Sequence, residues 1–331
     1  MAYKVAVLGA TGDVGREMLK VLEERHFPIS ELVPLASERS AGKQLDFAGE
    51  KITIRKADEN AFAGMDIVLG AAEDEIAKAM APHIKKAGAV FIDNSHAFRL
   101  DKDVPLVVPE VNPEDVKWHN GLIANPNCVT IIAAVAANPI SKLSPIKTMI
   151  AASYQSVSGA GIGGIRELDA QMAALAKGEP ITETKAFAHQ IAMNVIPKVG
   201  SVKENGYSSE ELKLLYEGRK IMHLPEMQVS CTCVRVPVMR SHSIAINLST
   251  ERDLTVEEVR AAMLAAPGVK LADEPNSEIY PMPLVTSDQD LVFVGRIRKD
   301  MALPNGIALW CCGDQIRKGA ATNAVQIAEL L

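Results

Sequence analysis

Aromatic residues are scarce in this chain. Phe, Trp and Tyr make up 4% of its 331 residues, too few for the stacking platform on which single-stranded nucleic acids are held. A surplus of positive charge is missing as well: 35 Lys and Arg stand against 41 Asp and Glu, a net charge of −6, so no global field draws a phosphate backbone. Nucleic acid is not an expected partner. No run approaches the roughly 18 apolar residues that a membrane span requires. The N-terminal Met-Ala-Tyr-Lys-Val-Ala-Val-Leu-Gly lacks the basic start and long apolar stretch of a secretion signal. The expectation is a cytoplasmic protein with no membrane contact. Five Cys, an odd number in such a chain, read as reduced thiols rather than bridges. Internal repeats and low-complexity segments are absent too. What is present is globular: 48% apolar and 23% charged residues, at a length that suggests two domains of roughly 100–200 residues each.

The order of patterns divides the chain in two. A strand over 4–8 runs into Gly9-Ala-Thr-Gly12-Asp-Val-Gly15 and then a helix over 14–25 with Val14, Met18, Leu19 and Leu22 on one face. Strands follow over 32–36, 66–70, 89–93 and 122–124, with helices over 73–86 and 129–141. That alternation predicts βαβ units and a doubly wound parallel sheet, an α/β domain. Beyond about residue 147 the rhythm changes. Strand patterns over 147–157, 228–238, 243–250 and 290–297 alternate with helices over 164–176, 209–222 and 256–264, which predicts an α+β domain on a mixed, largely antiparallel sheet. The last stretch, 314–331, places Ile316, Ala320, Ala324, Ile327 and Leu331 at helical spacing.

Two glycine-rich turns have the pattern of a pyrophosphate site, where main-chain N–H groups at a helix start meet an anion. Gly9-x-x-Gly12-x-x-Gly15 opens the βαβ half. Gly159-x-Gly161-x-x-Gly164 matches the standard spacing but lies in the strand-rich half, where a chain reversal packed on a helix explains it equally. The first is therefore assigned to a dinucleotide, with Ser158 and Gly159 expected to approach the same cofactor. At the end of the second strand, where an NAD site carries an acidic residue for the ribose, the chain reads Ala36-Ser37-Glu38-Arg39-Ser40. A cation and a hydroxyl suit a 2′-phosphate, so Ser37, Arg39 and Ser40 point to NADP.

Among the thiols Cys128 has a setting of its own. Asn125-Pro126-Asn127 ends a strand and an apolar helix follows, so Cys128 sits in the first turn, where a thiol's pKa is lowered. Cys231 and Cys233, at i and i+2 of a strand, and Cys311 and Cys312 read as small core hydrophobes. No His lies at metal-finger spacing from them, and no metal is expected. Arg235 on a strand and His242 in the turn beyond it either aim into one cleft or lie on the surface. Ser208-x-x-Glu211 reads as a capping box, while Glu210 and Lys213 are open to two readings, a site pair or an ordinary i, i+3 surface pair.

Taken together, these residues resemble bacterial aspartate-β-semialdehyde dehydrogenases from end to end. The motifs are Gly9-Ala-Thr-Gly12-x-Val14-Gly15, Ala36-Ser37-x-Arg39-Ser40-Ala-Gly42, Asp93-Asn-Ser-x-Ala-Phe-Arg99, Asn125-Pro-Asn-Cys128, Tyr154-Gln155-x-Val-Ser158-Gly159-Ala-Gly161, Arg235-Val-Pro-Val238 to His242-Ser243, and Asp314-x-x-Arg317-Lys-Gly-Ala-Ala321-x-Asn323. The resemblance implies a Rossmann-like NADP-binding domain formed by 1–127 and 314–331, a catalytic and dimerisation domain over 128–313, and a homodimer. It implies reversible, NADP-dependent conversion of L-aspartyl-4-phosphate to L-aspartate-4-semialdehyde and phosphate, on the route to lysine, methionine, threonine and isoleucine. By the family's pattern Cys128 is the nucleophile, Gln155 orients the substrate, Arg235 holds its carboxylate and Glu210 its amine. His242 is the acid/base, with a pKa expected near neutrality, and Arg99, Asn127 and Lys213 bind the phosphoryl group. Gly9, Thr11, Gly12, Asp13, Val14, Ser37, Arg39, Ser40, Ser158, Gly159 and Gln315 surround NADP.

Two segments depart from the family's pattern: the acidic Gly70-Ala-Ala-Glu73-Asp74-Glu75, and Gln315 where Asn is usual. The related N-acetyl-γ-glutamyl-phosphate reductases carry their thiol in an Asn-Pro-Gly-Cys-Tyr context, which Asn127 and Val129 do not match. Archaeal malonyl-CoA reductases share the plan and are separated by assay. A silent nucleotide-binding relative is expected to lose the thiol or the base, and both are here.

Overall fold

Side chains alternate between the two faces of a strand, so a strand buried at every core position needs cover on both sides. β1 (Tyr3–Leu8) is such a strand: Val5 and Val7 belong to one core, Ala6 and Leu8 to another. The computed structural model describes residues 2–182 and 184–331. It separates the chain into one unit of Met1–Asn127 with Gly319–Leu331 and a second of Cys128–Lys318.

In the first unit the chain continues through α1 (Asp13–Glu24), β2 (Ile29–Ala36), β3 (Gln44–Phe47), β4 (Glu50–Thr53), β5 (Arg55–Lys56), β6 (Ile67–Gly70), α2 (Asp74–Lys86), β7 (Val90–Asp93) and β8 (Leu122–Ala124). Six strands pair in the order β5-β2-β1-β6-β7-β8, every pairing parallel. Met18 and Leu22 of α1 and Val325 and Ile327 of the C-terminal helix (Thr322–Ala328) close the core under Val5 and Val7. Ala77 and Ile84 of α2, with Phe62 and Phe91, close the opposite one. Each such side chain, fully buried, contributes about 1.5–3 kcal/mol of hydrophobic stabilisation. The hairpin β3–β4, a separate two-stranded sheet, has no counterpart in the sequence expectations.

In the second unit follow α3 (Cys128–Leu143), β9 (Ile146–Gln155), α4 (Gly161–Lys177), α5 (Ser209–Ile221), β10 (Gln228–Arg235), β11 (His242–Thr250), α6 (Val256–Ala265), β12 (Val269–Leu271), α7 (Pro283–Thr286), β13 (Val292–Lys299) and β14 (Gly306–Gly313). Their sheet runs β10-β9-β11-β14-β13-β12, with parallel pairs at both edges and antiparallel pairs between. Every residue of α3 from Val129 to Ala137 is buried, as a sequence apolar at every position but Thr130 requires. Among the described residues no helix is long and apolar enough to cross a membrane.

The C-terminal stretch differs from the helix expected over 314–331. It stays with the second unit as far as Lys318, because polar groups there hold it. Arg240 Nε and the main-chain N–H of Asp288 donate to Asp314 at 2.6 and 2.7 Å, and Arg317 Nε donates to Asp290 at 2.8 Å. A π-helical turn, Arg317–Ala321, then leads into the terminal helix. Asn323 anchors that helix in the first unit, donating to Asn125 Oδ1 at 2.6 Å and to the Val107 carbonyl at 2.9 Å.

Candidate active site

Register brings the second unit's polar side chains to one edge of its sheet. β9 and β10 are parallel with Gln155 opposite Arg235. β11 runs the other way, pairing Ser243 with Tyr154 and starting at His242. The ends of two strands and the start of the third therefore coincide. Gln155, Arg235 and His242 are all buried there, which decides against the surface reading of Arg235 and His242. His242 is the first residue of a strand rather than part of a turn. Gly159 closes the corner: a Cβ on it would lie 2.9 Å from Arg235 Nη1 and 3.1 Å from His242 Cε1.

Arg235 Nη1 donates to the Ser156 carbonyl at 2.5 Å, and its guanidinium stands 5.8 Å from the centre of the Phe187 ring. Burial loosens the hold of Arg235 on its proton, and the negative charges of Cys128 and Glu210 act against that loss. The main-chain N–H of Ser156 donates to His242 Nδ1 at 3.1 Å, and the Ser156 hydroxyl lies at the same distance. The expectation of a near-neutral pKa for His242 is corrected here. Complete burial, then the charge of Arg235, lower it to about 3. The ring is neutral at physiological pH, because its charged form has lost its water and faces a cation.

Glu210, in the first turn of α5, joins two of the expected residues. Gln155 Nε2 donates to its Oε1 at 3.2 Å and Lys213 Nζ to its Oε2 at 2.9 Å. Its side chain is only 10% exposed, so Glu210 and Lys213 form a largely buried pair beside Gln155 rather than an ordinary surface pair. The expected capping box forms: Ser208 Oγ accepts from the Glu211 N–H and Glu211 Oε2 from the Ser208 N–H. Glu211 also accepts the main-chain N–H of Cys233 at 3.0 Å, which ties α5 to β10.

Cys128 is the first residue of α3 and half-buried, whereas the other four thiols are buried. Cys231 and Cys233 lie 3.8 Å apart, and that contact, with burial, pushes the Cys231 thiol up. Burial does the same to Cys311 and Cys312. Their chemistry is that of inert core sulfur.

The remaining expected residues belong to the first unit. Gly9 adopts φ +88, and a Cβ there would lie 2.5 Å from the Ala71 carbonyl oxygen, so the turn takes only glycine. Gly12 caps α1, and Gly12 and Asp13 are exposed. Thr11 and Ser40 share with Arg16 and Lys43 the lining of a cavity of about 510 Å³. Ser37 and Arg39 are exposed beside it in sequence, and the carboxylate of Glu38 is engaged by Lys56. The acidic segment after β6 is occupied as well: Asp74 accepts the His96 N–H at 2.8 Å and Glu75 faces Lys78 at 3.6 Å. Arg99 is buried and donates to the Asn94 carbonyl at 2.9 Å. Beside it burial raises the Asp93 carboxyl, against hydrogen bonds from Ser95. Asn127 is buried at the end of this unit.

Ser156 is the residue that sequence reasoning missed. Its donor is a main-chain N–H, which every residue but proline carries, and no side-chain motif could single it out.

Residues 4–119 match the family model described as "Semialdehyde dehydrogenase, NAD binding domain", and residues 138–318 match "Semialdehyde dehydrogenase, dimerisation domain". The aspartate-semialdehyde dehydrogenase of Aquifex aeolicus (strain VF5) is 52% identical, covering 100% of this chain and 98% of its own length. That of Synechocystis sp. (strain ATCC 27184 / PCC 6803 / Kazusa) is 49% identical, with 99% and 97% covered. A crystal structure of aspartate semialdehyde dehydrogenase II from Vibrio cholerae, complexed with ASA, superposes with a TM-score of 0.97 at 44% identity, covering 100% of this chain and 98% of that one. With such identity along its whole length, the chain belongs to the aspartate-semialdehyde dehydrogenase family of oxidoreductases.

Proposed function

We propose that the protein converts L-aspartyl-4-phosphate to L-aspartate-4-semialdehyde and phosphate, reversibly and with NADP, through a thioester on Cys128. The observation that carries this reading is placement. A half-buried thiol at the start of α3 lies within electrostatic reach of the buried Arg235 guanidinium, in the unit that also buries Gln155, Glu210 and His242. A helix start and a nearby cation both favour the thiolate.

In the direction of reduction the Cys128 sulfur attacks the acyl carbon, the carbon–oxygen bond to phosphate breaks, and phosphate leaves with the electron pair. Splitting the reaction through a covalent intermediate replaces one hard step by two easier ones. When bound, the reduced cofactor would supply a hydride to the thioester carbon, giving a tetrahedral adduct, and the oxidised cofactor would accept it in the reverse direction. Collapse of the tetrahedral adduct breaks the carbon–sulfur bond and returns the thiolate. Arg235 holds the substrate carboxylate, Glu210 its amine, and Gln155, tied to Glu210, orients it. His242 serves the reacting oxygen, and Arg99, Asn127 and Lys213 bind the phosphoryl group.

The cofactor fits the residues present. The Gly9–Gly15 turn opens α1 with exposed Gly12 and Asp13, and the cavity over Thr11 and Ser40 carries the cations Arg16 and Lys43. Thr11, Gly12, Asp13 and Val14 hold the pyrophosphate and Ser37, Arg39 and Ser40 the 2′-phosphate of NADP, with Ser158, Gly159 and Gln315 toward the nicotinamide. We further infer a cytoplasmic homodimer with 1–127 and 319–331 as cofactor domain and 128–318 as catalytic domain, which feeds lysine, methionine, threonine and isoleucine synthesis. Free thiols throughout the chain accord with a reducing compartment.

The test is NADPH formation from aspartate semialdehyde, with and without phosphate. Cys128→Ala is expected to abolish the phosphate-dependent rate. More than a trace of turnover overturns the thioester reading.

A further inference from the structure

Asparagine followed by glycine occurs three times in the chain, at Asn120-Gly121, Asn205-Gly206 and Asn305-Gly306. Such a pair can close on itself, because the glycine main-chain nitrogen, with no side chain to obstruct it, reaches the side-chain carbonyl carbon of the asparagine. Two of the three are held against that closure. The N–H of Gly206 donates to the Lys203 carbonyl at 2.9 Å, an acceptor that takes no proton from it, and Asn205 Oδ1 accepts the Tyr207 N–H at 3.2 Å. The side-chain nitrogen of Asn305 donates to the carbonyls of Thr250 at 3.3 Å and Glu251 at 3.1 Å.

Asn120 is set differently. Its side chain is exposed and makes no hydrogen bond among the described residues. The N–H of Gly121 donates to His119 Nδ1 at 3.0 Å. A main-chain N–H only donates, so Nδ1 is the unprotonated nitrogen of that ring. His119 is fixed from behind, its own N–H on the Val116 carbonyl at 3.2 Å, where the 3-10 turn Pro113–Trp118 ends. Burial lowers its pKa, so at physiological pH the ring is neutral, the form that accepts a proton.

We propose that Asn120 is a site of self-modification, in which His119 is the base for the Gly121 amide proton and the asparagine is converted, through a cyclic imide, to aspartate and isoaspartate. The Gly121 nitrogen gives its proton to His119 Nδ1 and bonds to Asn120 Cγ. The bond from Cγ to the side-chain nitrogen breaks, and that nitrogen leaves as ammonia with the proton from His119. Water, the only co-reactant, then opens the imide at either carbonyl. Nothing is oxidised or reduced. Both products add a negative charge. Isoaspartate also adds a carbon to the main chain just before Gly121, whose carbonyl accepts the Phe91 N–H at 3.0 Å where β7 and β8 begin to pair. The conversion therefore strains the start of β8, the strand that leads to Asn125-Pro126-Asn127.

The test follows three peptides in one sample. The full-length protein is incubated at neutral pH and digested at mildly acidic pH, and the peptides of Asn120, Asn205 and Asn305 are separated and weighed. Asn120 is expected to convert fastest, to two products of equal mass. Conversion of Asn205 or Asn305 at the same rate overturns the proposal. His119→Gln carries an acceptor but no base, and is expected to slow conversion of Asn120 by about tenfold or more, a fraction of what a well-placed catalytic base contributes. The rate at Asn205 stays level as the sign of an intact fold. A smaller fall at Asn120 overturns the proposal. In urea, where the bond to His119 is lost, the three rates of the parent are expected to draw together. A lead of Asn120 that persists there belongs to the local sequence and overturns it as well.

Discussion

A methyl group on Gly159 would stand within 3.3 Å of three atoms of Arg235 and His242, so these two side chains share a space shaped by what one residue lacks. Within it Arg235 has a fixed hydrogen bond to the Ser156 carbonyl, and the Cys128 thiol lies within its electrostatic reach. A planar fork meets a carboxylate with two parallel bonds, whereas an ammonium is a point charge on a flexible stem. Arg235→Lys is therefore expected to lose about 2–5 kcal/mol of transition-state binding, the scale for breaking a desolvated charge pair, or roughly 30- to 5,000-fold in kcat/KM. A fall of less than threefold in the steady-state assay contradicts the clamp. Only Cys128 stood out by its own setting, a turn ahead of an apolar helix; Arg235 and His242 left two readings open, and Gln155 came in through the family resemblance. The protonation state of His242 was not legible, since burial and the approach of Arg235 arise only when β9, β10 and β11 align.

At the scale of elements, short connections decide what the ends of strands present. β2 ends at Ala36 and its turn carries Ser37, Arg39 and Ser40, with Glu38 drawn to Lys56. A charge-assisted hydrogen bond is worth about 1.5–3 kcal/mol, so Arg39→Ala is expected to lower kcat/KM for NADPH by about 10- to 150-fold while that for NADH stays level. Equal losses with both cofactors, or a parent enzyme that uses NADH as well as NADPH, contradict the assignment of Arg39 to the 2′-phosphate. The βαβ rhythm was readable from apolar period and glycine turns. The hairpin β3–β4 was not: four-residue strands are too short to set a period, and only Leu45, Phe47 and Ile52 mark them. The end of the chain misled for another reason. Helical spacing over 314–331 says nothing of Asp290 and Arg240, whose pairing with Arg317 and Asp314 keeps the first part of that stretch out of the helix.

At the scale of the whole molecule, the net charge of −6 coexists with arginines buried in each unit, Arg99 and Arg235, and two of the sparse aromatics meet on an open face. On the face of the second unit's sheet turned away from its core, Tyr154 and Trp310 pack with ring centres 5.3 Å apart, and Ile150 is 44% exposed. Apolar side chains contiguous on an open sheet mark an interaction surface, and a two-fold dimer lays one such patch on its own copy. An acid at Ile150 then meets the same acid, or apolar side chains, in the other protomer, and either is costly to bury. Ile150→Asp is expected to move the protein in light scattering from twice 35.6 kDa to that mass, with its far-UV dichroism unchanged. Because Ile150 and Gln155 point to opposite faces of β9, a variant that stays dimeric shows that the protomers meet elsewhere, whatever its activity.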